Sequence, residues 1–196
     1  FNNLLREVCT KYFNCNVIEE GDPLMFGDFM IFGQARENRV YEEIQDIDKL
    51  KSILFDYLQD YNAATGKDMN LILFQDAIEH ILRLARLLRS ERGNGLLVGL
   101  SGMGKQSITR LASNINAYQC MQIELKRGYD YSSFREDLRK CYTAAGVNNS
   151  PTVFLMNDTQ ILKEVFLEDI NNVLNSGEVP NLFEGDEYEK LILATR

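Results

Sequence analysis

The sequence predicts an α/β fold in which helices flank a parallel sheet. Three observations carry that prediction. A glycine-rich stretch, Gly99-Leu100-Ser101-Gly102-Met103-Gly104-Lys105-Gln106-Ser107, follows the apolar run Leu96-Leu97-Val98 and precedes residues with helical spacing, Ile108, Leu111, Ala112 and Ile115. From Leu96 onward, short apolar runs and amphipathic helical patterns alternate, as they do where a parallel sheet is covered by crossover helices. The composition, 45% hydrophobic and 26% charged over 196 residues, is that of a globular chain with room for one domain and an appendage.

Taken in order, residues 1–20 carry the amphipathic set Leu4, Leu5, Val8, Tyr12 and Phe13, which predicts a helix. Between 21 and 40 the periodicity is broken by Gly21-Asp22-Pro23, Gly27 and Gly33. The apolar residues there (Met25, Phe26, Phe29, Met30, Ile31, Phe32) are expected to pack against a neighbouring unit. A helix is expected over 41–61, with Ile44, Ile47, Leu50, Ile53, Leu54, Tyr57, Leu58 and Tyr61 on one face, and a loop over 62–68. Leu71-Ile72-Leu73-Phe74 leads into a second helix lined by Ala77, Ile78, Ile81, Leu82, Ala85 and Leu88, and Arg92-Gly93-Asn94-Gly95 turns the chain into the Leu96–Val98 strand.

Past the glycine loop, strands are expected at 120–125 and 152–156. Ser133 and Glu136 have capping-box spacing for a helix carrying Phe134, Leu138, Cys141 and Ala145, closed by a left-handed Gly146. A further helix carries Phe166, Ile170, Val173 and Leu174 and ends at Gly177, and a last helical start runs to Arg196.

The glycine stretch meets the pattern G-x-x-x-x-G-K through Gly99, Gly104 and Lys105. Glycines at a helix start let backbone N–H groups wrap an anion, and the lysine reaches the outer phosphates. A nucleotide is therefore the expected ligand, with Lys105 on the β- and γ-phosphates. The pattern departs at one point. The hydroxyl that holds magnesium should follow the lysine, but Gln106 stands there and Ser107 comes one residue late, aimed toward the α-phosphate. Gln106 offers only a neutral carbonyl oxygen.

P-loop NTPases place an acidic residue after a second apolar strand, and the AAA+ branch follows it with a glutamate that polarises the attacking water. Here Val153-Phe154-Leu155-Met156 ends in Asn157-Asp158. An amide brings no charge to a metal, and Asp in place of Glu falls about one methylene short. A misplacement of about 1 Å can lower a rate by about 100-fold. Gln106, Ser107 and Asn157 are the weak metal candidates and Asp158 and Asn157 the weak catalytic ones; the plainer alternative is that Asn157 and Asp158 cap the following loop. Leu71 and Ile72 suit either an apolar shelf for an adenine ring or ordinary core.

The remaining features narrow the field. A net charge of −8 argues against nucleic acid as the main partner. No run approaches the ~18 apolar residues of a membrane span, so no membrane partner is expected. Cys9, Cys15, Cys120 and Cys141 lack metal-ligand spacing and read as scattered reduced thiols; His80 stands alone. Arg83, Arg86, Arg89, Arg92 and Lys51 read as solvated faces or contacts to neighbouring modules. The chain opens on Phe, which suits a piece of something longer.

Several segments together resemble dynein heavy chains, ring motors with six AAA+ modules in one polypeptide. They are Pro23-Leu24-Met25-Phe26-Gly27-Asp28-Phe29-Met30, Met69 to Phe74 through Glu79-His80-Ile81, Arg92 to Gly99, the loop with Gln106-Ser107, Phe134 to Leu138, Asp158-Thr159-Gln160-Ile161, and Phe166 to Asn172 on through Asn175 to Phe183. The likeness is to the fourth module, in its axonemal form. It implies a P-loop NTPase fold of AAA+ type, cut before its last strands and helical lid. Residues 1–40 would be the end of the preceding module with a connector, and 41–196 the N-terminal portion of the large subdomain, with the P-loop core from 95. It implies ATP or ADP at a regulatory module that hydrolyses slowly or not at all, with Mg2+ held weakly. An active ATPase module and a structural ring spacer with an empty pocket are the alternatives. The implied partners are neighbouring AAA+ modules of the same chain, other dynein chains and, through parts outside this sequence, the microtubule. The implied location is the cytoplasm and cytoskeleton, in the axoneme of a cilium or flagellum.

Overall fold

The computed structural model describes residues 2–13 and 24–195. The first helix, α1 (Asn2–Phe13), covers the expected pattern up to Phe13; Gly21, Asp22, Pro23 and Cys15 lie outside the described residues. Leu4, Tyr12 and Phe13 of α1 are exposed.

Two apolar cores organise the chain. The first joins α2 (Ile47–Thr65), α3 (Gln75–Arg89) and α4 (Lys105–Ile115). Its fully buried residues include Leu50, Leu54, Ile78, Ile81, Leu111 and Ile115, at the helical spacing read from the sequence. The segment 24–46 closes this core. Met25 and Phe29 are buried in it, which corrects the expectation that the segment faces a neighbouring unit; Ile31 and Phe32 beside them are exposed. Its strand β1 (Phe26–Gly27) pairs antiparallel with β2 (Glu42–Glu43), and Ile44 N–H donates to Met25 O at 2.8 Å. The helix expected from 41 therefore starts later. Asp46 caps α2, its Oδ1 accepting from Lys49 N–H at 2.9 Å, and Ile44 sits buried ahead of the helix. At the other end α2 runs on through Asn62 to Thr65, residues expected in a loop, and Gly66 caps it. Asn62 then fixes the return of the chain, exchanging hydrogen bonds with the Met69 N–H and carbonyl at 2.9 and 3.1 Å.

The second core lies under a two-stranded parallel sheet, β3 (Gln119–Gln122) beside β4 (Thr152–Leu155), in register from Gln119 opposite Thr152 to Gln122 opposite Leu155. It is built on aromatic stacking between α5 (Tyr131–Gly146) and α6 (Glu164–Asn175). Phe134 and Phe166 lie 4.3 Å apart and nearly parallel, with Tyr131 stacked on Phe166 at 6.3 Å. Stacked aromatic pairs add about 1 kcal/mol beyond their buried area. Arg135 and Arg139 on α5 donate to Pro180 O (2.8 Å) and Leu182 O (2.6 Å), gripping the loop that precedes α7 (Asp186–Ala194).

Three expectations are corrected here. Asp130, not Ser133, caps α5: its Oδ1 accepts from the N–H and hydroxyl of Ser133, and Glu136 turns to Arg139 at 3.3 Å. Three residues upstream, a charged carboxylate has taken the cap. Gly146 is the last helical residue and is not left-handed; a Cβ there would stand 3.3 Å from Thr195 Cγ2, so a close approach explains it better than a turn. The third correction concerns Leu96-Leu97-Val98, which form no strand and are not buried as a run: Leu96 is 89% exposed and Val98 87%. An apolar run of that kind belongs between two paired strands with both faces covered, and among the described residues no strand pairs with it.

Candidate functional site

The glycine loop enters α4 through two left-handed residues, Gly102 (φ 81°) and Gly104 (φ 76°). Residues with a Cβ adopt that conformation at a cost, so glycine lets the chain turn sharply onto the helix start. Gly104 is the N-cap and has no side chain to spend on the first-turn N–H groups of α4. Those donors, with the helix dipole behind them, are left for an anion.

Lys105 lies bent back over the loop, its Nζ donating to Gly99 O and Leu100 O, both at 2.6 Å. The ammonium is thus held over the cradle by two neutral carbonyls. A phosphate would offer it a charged acceptor, and charge-assisted bonds are roughly twice as strong as neutral ones. Leu100, Ser101, Gly102, Met103 and Gln106 are exposed, and Ser107 is half-buried. Leu71 is brought to the loop: its Cδ1 lies 3.8 Å from where a Cβ on Gly104 would stand. Half-buried, it also packs on the first core, while its neighbour Ile72 is 81% exposed. Leu71 thus belongs both to the core and to the wall of the loop, and Ile72 leaves an apolar surface open beside it.

At the other strand end, Asn157 precedes a 3-10 turn, Asp158–Gln160. Its N–H donates to Gln160 Oε1 at 2.8 Å, and the buried Gln160 Nε2 donates to Ile123 O at 2.6 Å. Gln160 therefore ties the end of β4 to the end of β3. Asp158 is exposed and its Oδ1 accepts from the neighbouring Thr159 N–H at 2.9 Å.

The residues fit a phosphate cradle and do not fit a magnesium site. Magnesium is held through one or two carboxylates and bound phosphates. Gln106 and Asn157, at the two expected positions, are neutral amides, the Ser107 hydroxyl stands one residue past its expected place, and Asp158 is turned onto its own chain. The Gln106 Oε1 is already engaged, accepting from Arg110 at 3.3 Å and from Gln122 Nε2 at 3.5 Å. Among the described residues no group of three His, Cys, Asp or Glu side chains could hold a metal ion.

Sequence reasoning missed Arg110, Gln122 and Gln160. Arg110 follows Gln106 at i+4 on the helix, a visible spacing, but Gln122 and Gln160 reach the site only through strand register. The arginines of α3 do not share one setting. Arg89 pairs with the buried Asp28 at 2.9 Å and lies over the Tyr41 ring at 5.2 Å, whereas Arg83 makes a surface pair with Glu79 at 3.2 Å. His80 is exposed on α3.

Comparison with known proteins agrees with this geometry. Residues 69–196 match the family described as the P-loop containing dynein motor region D4. The chain is 55% identical, over its whole length, to human dynein axonemal heavy chain 6, of which it covers 5%. It is 42% identical over its whole length to human dynein axonemal heavy chain 1, again covering 5%. Over 78% of its length it is 50% identical to the dynein-1-beta heavy chain of the flagellar inner arm I1 complex of Chlamydomonas reinhardtii, covering 3% of that protein. The chain thus spans about a twentieth of the length of the relatives it matches.

Proposed function

The chain belongs to the dynein heavy chains, as part of the P-loop D4 region of the motor, and on that premise we propose that it is a regulatory AAA+ module that holds ATP or ADP and hydrolyses it slowly or not at all. One observation carries the reading: the left-handed Gly102 and Gly104 open the N-terminus of α4 to an anion while Lys105 Nζ is held above it. Each part of a phosphate cradle is intact, and each departure from the family pattern falls on the metal or the base. Asn157 removes a charge from the metal side, and Asp158 is short and turned to Thr159 N–H. That combination favours retention of a nucleotide over its cleavage. Leu71, and Ile72 beside it, would flank the adenine.

In this reading residues 1–40 come from the end of the preceding module and its connector, which packs from Met25 onto the first core, and 41–196 belong to the large subdomain. The exposed Leu96 and Val98 suit a strand that other strands of the module would flank. Neighbouring modules of the same chain are the immediate partners, other dynein chains the next, and the microtubule is reached through distant parts. The place of action is the axoneme of a cilium or flagellum. No helix among the described residues is long and apolar enough to cross a membrane.

The test is Lys105→Ala in the full-length heavy chain, with nucleotide binding read at this module. Loss of a charge-assisted contact to phosphate should weaken binding by about tenfold or more. An unchanged affinity overturns the binding reading.

A further inference from the structure

Arg110 has no part in the phosphate cradle as described, yet its guanidinium donates to Gln106, the residue at the position where a metal ligand was expected. It lies one turn beyond Gln106 on α4. Helical side chains lean toward the N-terminus, so its guanidinium returns along the helix to the loop end. Its Nη2 donates to Gln106 Oε1 at 3.3 Å and also to Gln122 Oε1 on β3. Gln122 Nε2 in turn reaches Gln106 Oε1 at 3.5 Å. The same guanidinium stands near enough to Cys120 to offset part of the upward push that burial gives that thiol. Arg110 is thus fixed by groups on two elements, with two amide oxygens turned toward it.

This arrangement gives Gln106 a specific meaning. A hydroxyl at that position would be free to bind a metal. A glutamine oxygen there is long enough to meet the arginine one turn away, and does so. Guanidinium stays protonated throughout the physiological range. A divalent cation on the same oxygen would lie a few ångström from this charge, where like charges repel strongly.

We propose that Arg110, held by Gln106 and Gln122, takes the place of magnesium, so that this site binds a nucleoside di- or triphosphate as the metal-free anion. The inference rests on the nucleotide-binding reading above and adds to it. Lys105 and Arg110 then supply two fixed positive charges to the phosphates, in a chain whose net charge is −8. Arg110 is a binding residue for the phosphates, and Gln106 and Gln122 are the groups that position it.

The test uses the full-length heavy chain, stripped of nucleotide and photolabelled with azido-ATP, the label being counted on peptides from this module alone. Labelling is titrated in magnesium and in EDTA. The wild type should half-saturate at concentrations within about threefold of each other under the two conditions. Arg110→Gln should raise the EDTA value by about tenfold or more and the magnesium value less, with Arg110→Lys between. Wild-type labelling that is normal in magnesium and lost in EDTA overturns the metal-free site but leaves nucleotide binding standing. Labelling of Arg110→Gln equal to wild type in EDTA overturns the role of Arg110. No labelling in either condition overturns both readings. Should Arg110→Gln fail to fold, the comparison of wild type in magnesium and EDTA still decides.

Discussion

At its C-terminal end, α4 stops against buried polar groups; at its N-terminal end it starts from glycines in the open. Asn116, 2% exposed, donates to Ala112 O at 2.9 Å and across to Ala85 O of α3 at 3.3 Å. Arg39 reaches from the 24–46 segment to Ile115 O at 2.6 Å, a cation at the negative end of the helix dipole. Asn114 adds contacts to Tyr57 O and Asp60 of α2 at 3.4 and 3.3 Å. The carbonyls that a helix leaves unpaired at this end are thus met by Asn116 and by Arg39 of the flanking segment, while Asn116 and Asn114 donate outward to carbonyls of α3 and α2. The unpaired N–H groups at the other end have glycine before them and no side-chain cap. One helix is anchored at one end and left uncapped at the other.

The comparison can be strained first where the effect is largest. Leu111 is fully buried in the first core, and Leu111→Ala should lower the stability of that core by about 3 kcal/mol. Hydrogen exchange along α4 in the full-length heavy chain would show it as lost protection spreading from the anchored end. A loss confined to the loop end would mean that the helix is not held where the structure places its support.

A smaller change sharpens the other side. Gly104→Ala forces a Cβ into a left-handed residue at a cost of about 1 kcal/mol. The added carbon would meet Leu71 Cδ1 at 3.8 Å, an ordinary contact, so strain and not crowding is the cause. Nucleotide affinity should fall while exchange protection at Ile115 stays as it was. Equal losses at both ends would erase the distinction.

How much of this was legible in sequence follows from the range of the forces involved. The helical faces of α2, α3 and α4 were legible because 3.6-residue periodicity is local. So was the glycine turn into α4, because Gly99, Gly104 and Lys105 are set by spacing along one segment. The cap at Asp130 was missed because Ser133 satisfied the same local rule and only geometry chooses between them. The burial of Met25 and Phe29 was missed because it depends on β1 pairing with β2 across fourteen intervening residues. The strand at Leu96–Val98 failed for the opposite reason: its pattern is right for a central strand, and a strand exists only with a neighbour. At the site, Gln106 read as a bare departure from a motif. Its partners Arg110 and Gln122 turn it into a hydrogen-bonded element with a charge attached. Asn157, the second departure, likewise gains a structural task through Gln160 and Ile123.

That this module keeps a nucleotide without cleaving it, as proposed, is decided by occupancy and turnover at this site in the full-length heavy chain, compared between wild type and Asp158→Ala. Bound nucleotide is expected in both, with no rapid turnover at this module for the substitution to remove. Rapid turnover that disappears in Asp158→Ala while binding persists, or a pocket empty at saturating ATP, would contradict it.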